Sequence, residues 1–179
     1  MDFNETLRAY RPVQHYLPRP IPDEKLKAVL AAARLAPSQN NMQPWRFIVV
    51  QDDERRRLLA QACPKGKALV EAPVAVVALA VEEDVPLTVG GYISAYPLDV
   101  AVAVHQMRLA ATSEGLGSAW IMDFHEEKVR SVLGIPEGVH PLAIIPIGYP
   151  AENNGSNGGA VSEGRKSVNE IIAYNHYAW

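Results

Sequence analysis

Apolar positions from Leu26 onward recur at helical spacing. Leu26, Val29, Leu30 and Ala33 share one stripe, preceded by Asp23 and Glu24, which suit the positive end of a helix dipole. The pattern predicts a helix that starts after Pro22 and is stopped by Pro37. Trp45–Val50 then changes period, with β-branched and aromatic residues that predict a strand. Residues 53–62 read as a second helix. Val74–Val81 is apolar on both faces, which predicts a central strand in a sheet covered on both sides. Residues 98–116 make the longest helical stretch, with Val100, Val104, Met107 and Ala111 in one stripe and Gly115-Leu116-Gly117 as its stop. A short strand over 118–122, a helix over Glu126–Leu133 closed by Gly134, and a strand over 142–147 complete the predicted core. Asn and Gly crowd residues 151–164 and predict a flexible connection. Ser167-Val168-Asn169-Glu170 has capping-box spacing and predicts a final helix. The order of elements is mixed α and β, and nothing in it requires a parallel sheet.

The 179 residues, 48% apolar and 21% charged, suit a single folded domain over 1–179, with 151–179 as loop and tail. The net charge of -3 and the absence of a basic face argue against nucleic acid. The run Arg55-Arg56-Arg57 is neutralised by Asp52-Asp53-Glu54 before it. Cys63 is the sole cysteine, so no intrachain disulfide or cysteine-built metal site can form, and the histidines at 15, 105, 125, 140 and 176 lack paired ligand spacing. No metal is expected. The longest near-apolar run, 72–81, falls far short of the ~20 residues that span a bilayer. The acidic start Met1-Asp2-Phe3-Asn4-Glu5 lacks a signal-peptide core, so the expected setting is cytoplasmic, away from membranes. No P-loop or G-x-S-x-G elbow occurs, and Gly115-Leu116-Gly117 follows a helix where a dinucleotide fingerprint would follow a strand.

The chemistry concentrates in Ala36-Pro37-Ser38-Gln39-Asn40-Asn41-Met42-Gln43-Pro44-Trp45. A helix ends there, a loop of amide and hydroxyl side chains follows, and a strand begins. As a local structure this is a Pro-bounded turn whose Ser and Asn satisfy backbone groups. The run also resembles, almost letter for letter, the APSxxNxQPW signature of the FMN-dependent nitroreductase family. The resemblance extends over essentially the whole chain. It includes Asn4-Glu5-Thr6-Leu7, Pro20-Ile21-Pro22, Tyr96-Pro97-Leu98-Asp99, Gly115-Leu116-Gly117-Ser118-Ala119-Trp120-Ile121, Leu133-Gly134-Ile135-Pro136, Ile147-Gly148-Tyr149-Pro150 and Gly164-Arg165-Lys166. It implies an α+β fold with a central, mostly antiparallel sheet flanked by helices and a C-terminal tail crossing to a partner subunit. It further implies a homodimer with FMN at the subunit interface. Hydride would pass from NAD(P)H through flavin N5 to a small nitroaromatic, quinone or flavin acceptor by a ping-pong mechanism.

The same resemblance assigns site residues. Arg165 and Lys166 take the phosphate, for which guanidinium and ammonium groups are suited. Pro37, Ser38 and Asn41 belong to the loop that a second subunit lays against the isoalloxazine and ribityl chain. Trp120, Ile121, Met122 and Asp123 line the other flavin face, with a backbone N–H of Met122 or Asp123 at N5. The family's Arg-Arg-Ser-x-Arg falls on Tyr10-Arg11-Pro12-Val13-Gln14, so only Arg11 is retained. Gln14 can still hydrogen-bond the pyrimidine edge but lacks the charge that stabilises an anionic reduced flavin. Lys65 and Lys67 match polar ribityl contacts more loosely. No acid–base side chain is assigned, because the flavin does the redox chemistry. The resemblance also admits an oxygen-using enzyme of the same fold, flavin-fragmenting or dehalogenating. A non-catalytic flavin-binding protein is the third reading, and the altered N-terminal motif suits it.

Overall fold

A computed structural model describes residues 1–81, 88–152, 154 and 164–177. The chain runs α1 (Phe3–Ala9), α2 (Asp23–Arg34), β1 (Trp45–Val50), α3 (Asp53–Gln61), α4 (Lys67–Glu71) and β2 (Val74–Val81). It continues β3 (Thr88–Val89), β4 (Ile93–Ser94), α5 (Tyr96–Ser113), β5 (Gly117–Ser118), α6 (Glu126–Leu133) and β6 (Val139–Gly148). The principal sheet has the order β1-β2-β6-β5, and each neighbouring pair in it is antiparallel. β3 and β4 form a separate hairpin. Among the described residues, no helix is long and apolar enough to cross a membrane.

β2 lies at the centre of this arrangement because both its faces are apolar. Val74, Val76, Ala78 and Ala80 join the layer formed with α2 and α5, through Val29, Ala33, Val104 and Met107. Ala75, Val77 and Leu79 point the opposite way into a second layer with Leu59 of α3 and Val129 of α6. The two-residue alternation of a strand thus feeds two cores at once. Trp45, the last residue of the signature run, is buried in the first layer, and the carbonyl of Pro44 accepts the Val81 N–H at 3.0 Å.

Several boundaries differ from the sequence reading for identifiable reasons. α2 ends at Arg34, and the amides of Leu35 and Ala36 reach back only to Ala32 and Ala33, a tightened last turn forced by the Pro37 that follows. α5 ends in a Schellman turn, with Leu116 N–H on the Ala111 carbonyl at 2.8 Å and Gly115 at φ 75°. The strand expected over 118–122 is broken after Ser118. Pro146 of β6 accepts the Ala119 N–H at 3.3 Å but has no N–H to return, and pairing resumes only at Ile121 with Ile144. β6 begins earlier than expected, at Val139, and carries a register shift against β2 between Ala78 and Leu79. The final helix is a correction: Ser167 and Glu170 do form a capping box, but it caps a single 3-10 turn, Val168–Glu170. Most of the Asn/Gly-rich connection, namely 153 and 155–163, lies outside the described residues, as do 178–179.

Candidate functional site

The segment leaving α1 builds one wall of a cleft. Val13 N–H bonds the Ser118 carbonyl at 3.0 Å, and Leu17 N–H bonds the Tyr149 carbonyl at 2.9 Å, so residues 12–17 run along β5 and the end of β6. Two glycines permit the close approach. A Cβ on Gly117 would lie 2.3 Å from Val13 Cγ2, and one on Gly148 would lie 2.9 Å from the Tyr16 ring. Side chains from elsewhere fasten the same backbone. Asn154 Oδ1 accepts the N–H groups of Gln14 and His15 at 2.8 and 3.0 Å. Glu71 of α4 accepts the Tyr16 N–H at 3.2 Å and pairs with His15 Nδ1 at 3.1 Å, while Lys67 Nζ stands 3.5 Å from its other oxygen. Burial raises the Glu71 carboxyl, but the bonds from His15 and Tyr16 and the charges of His15 and Lys67 outweigh it, leaving the pKa below the ordinary value.

The cleft has a volume of about 570 Å³. Its polar lining is Gln14, His15, Lys65 and Lys67, and its apolar lining is Pro12, Ala68, Ala119, Trp120 and Ile121. No carboxylate is among these lining residues. On the far wall, the Ala119 and Ile121 amides bond β6. Strand alternation turns the amides of Trp120 and Met122 away from β6, and neither makes a hydrogen bond within the described chain. The Trp120 indole Nε1 is also buried without a partner. A flat apolar slot with surplus donors and ammonium groups is suited to a planar, acceptor-rich ligand bearing negative charge. FMN meets that description, so the residues present fit it.

The sequence-assigned residues fall into separate groups. Pro12, Gln14, Lys65, Trp120 and Ile121 line this cleft. Met122 and Asp123 follow Ile121 in the irregular segment after β5 and are exposed. Tyr10 lies beside Arg108, and Arg11 turns its guanidinium back onto the carbonyls of Arg8 and Tyr10 at 2.6 and 2.9 Å. Pro37 lines a different groove, of about 550 Å³, with Leu98, Val102 and His105 of α5. Ser38 and Asn41 sit in the same loop, which is held in an unusual backbone. Asn40, Asn41 and Gln43 have φ of 50°, 58° and 51°, Ser38 Oγ accepts the Gln43 N–H at 2.9 Å, and the Asp99 carboxylate accepts the Gln39 N–H at 3.2 Å. Arg165 and Lys166 are exposed and are not among the residues lining either cavity. The sequence reading did not single out His15, Glu71, Ala68 or Arg108. For Arg108 a signal existed, since it places a charge in the stripe of Val104 and Ala111.

The comparisons with known proteins identify the family and the fold. The family model described as "Nitroreductase family" matches residues 7–92 and 64–149. A Methanothermobacter thermautotrophicus protein provisionally named NADH dehydrogenase/NAD(P)H nitroreductase is 33% identical, over 87% of this chain and 81% of that one. A nitroreductase family protein from Clostridium difficile superposes with a TM-score of 0.87 at 27% identity, covering 99% of this chain and 100% of its own. An FMN-dependent nitroreductase from the same species gives a TM-score of 0.81 at 28% identity, covering 96% and 98%. By sequence and by fold, the chain belongs to the nitroreductase family.

Proposed function

We propose that the chain is an NAD(P)H-dependent FMN oxidoreductase acting on small acceptors. The observation that carries this reading is the carboxylate-free cleft of Gln14, Lys65, Lys67 and Trp120, with unpaired strand amides along its far wall. FMN, when bound there, would supply the hydride chemistry between NAD(P)H and a small nitroaromatic, quinone or flavin acceptor. The protein's own part is to bind, orient and exclude water. Pro12, Ala68 and Trp120 would hold the ring by apolar contact, Gln14 would bond its polar edge, and the Met122 or Asp123 N–H would meet N5. Lys65 would serve the ribityl hydroxyls. Arg165 and Lys166, outside the cleft within one copy, would bring positive charge to the phosphate.

Pro37 lines a separate groove from Gln14 and Trp120 within one copy, and Ser38 and Asn41 follow Pro37 in the same loop, outside the cleft. If both groups touch one cofactor, the first must come from a second copy, which supports a homodimer with FMN at the interface. The tail after Gly164, with Ile171, Ile172, Tyr174 and Tyr177 exposed, is the segment that crosses to the partner.

Donor and acceptor then use the same open face of the ring in turn. Steady-state rates measured with FMN-loaded protein, varying NADH or NADPH against a quinone and then a nitroaromatic, should give parallel double-reciprocal lines. Intersecting lines would contradict alternation in one pocket, and no nicotinamide oxidation with any acceptor would contradict the enzyme reading.

A further inference from the structure

An uncompensated charge lies directly behind the cleft wall. Arg108 is only 5% exposed, in a stripe of α5 where an apolar residue would pack. Its Nε–H donates to Ser118 Oγ at 3.2 Å, and its guanidinium carbon lies 5.0 Å from the Tyr10 ring centre and 5.3 Å from that of Trp120. No described carboxylate forms an ion pair with it. Arg56 makes a useful contrast. The two terminal nitrogens of that buried arginine bond the carbonyls of Leu69, Val70 and Ala72 and the Asp53 carboxylate, so its charge is paired, although its Nε has no partner.

A guanidinium taken out of water without a counter-ion is costly, and aromatic faces offset only part of that cost. The neighbours add no charge that would mask it. Burial raises the Tyr10 hydroxyl against the pull of Arg108, and burial together with Arg108 holds the His105 imidazole below its usual pKa. Trp120, on which the guanidinium rests, is itself a wall of the cleft.

We propose that Arg108, acting through the Trp120 wall, adds to the Lys65 and Lys67 ammonium groups of the cleft a buried, fixed positive charge that favours the reduced cofactor. The proposal rests on the reading that this cleft holds FMN. Transfer from a nicotinamide adds two electrons and one proton, hence one net negative charge on the ring system. A fixed cation nearby favours that state over the neutral oxidised one. Gln14, uncharged at the cleft edge, cannot do this. Arg108 reaches the cofactor only through its field, so it is an electrostatic and positioning residue.

The test is the midpoint potential of the FMN-loaded protein, measured by anaerobic reduction against a reference dye. Arg108→Met removes the charge at similar bulk. It should lose about tenfold in preference for reduced over oxidised FMN, a lowering of ~30 mV for a two-electron couple. Arg108→Lys should recover most of the shift. Arg108→Gln, which keeps a donor for Ser118 without the charge, makes the same test should the Met variant not fold. A folded, FMN-bound Arg108→Met or Arg108→Gln protein with the wild-type potential overturns the proposal and leaves the cofactor reading standing. A purely structural arginine would change the melting temperature and not the potential. Wild-type protein that takes up no FMN overturns both.

Discussion

Gln14 sits at the lip of the cleft with its backbone clamped by Asn154, two residues along from Pro12 and next to the Glu71-paired His15. Its amide can donate and accept but carries no charge, so Gln14 itself would give the polar edge of a bound flavin hydrogen bonds and no positive charge. Gln14→Arg should therefore raise the reduction potential of the bound cofactor, read by the same anaerobic titration. A potential that stays put or falls would remove Gln14 from the cofactor's edge. Gln14 and Trp120 were legible because a family motif runs through them, and Lys65 only by a looser match of position. The His15–Glu71 pair was not. Its partners are 56 positions apart, and nothing in either neighbourhood points to the other before α4 folds beneath the N-terminal segment.

At the scale of elements, the cleft exists because a non-helical segment is laid on the sheet edge, and Gly117 is where that contact is tightest. Gly117→Ala puts a methyl against Val13 and the Pro150 ring. It should cost about 1–3 kcal/mol of stability as the segment is pushed off β5, seen as a lower denaturation midpoint together with weaker FMN binding. Unchanged values for both would mean the segment moves aside freely. The long amphipathic and all-apolar stretches, α2, α5 and β2, could be read directly because their periodicity runs over several turns or covers a whole strand. α4 spans only Lys67–Glu71, too short for a period to show. The break in the strand after β5 depends on Pro146, nearly thirty residues away, whose missing N–H faces that edge. Ser167–Glu170 did make its capping box, yet a cap alone does not extend a helix: with no buried side chain behind it, the turn stops after one round.

On the scale of the fold, the outer face of α5 is one apolar surface that a single copy leaves uncovered among the described residues. Leu98 and Val102 are exposed there beside Pro37 and His105, forming an apolar groove of about 550 Å³. In the proposed homodimer this apolar surface is the candidate interface. Val102→Asp places an unpaired carboxylate in it and should shift the protein from dimer to monomer in light scattering, with FMN lost at the same time if the partner's Pro37–Asn41 loop completes the site. A dimer that persists with its flavin would place the interface elsewhere.

Whether this cleft holds an FMN reducible by a nicotinamide is decided by the visible absorbance spectrum of the purified protein, recorded before and after anaerobic NADH and then NADPH. The expected result is a flavin spectrum, with FMN as the pigment released on denaturation, bleached by at least one donor within a turnover time. A protein that stays colourless when FMN is added, or a bound flavin that neither donor bleaches, would contradict it.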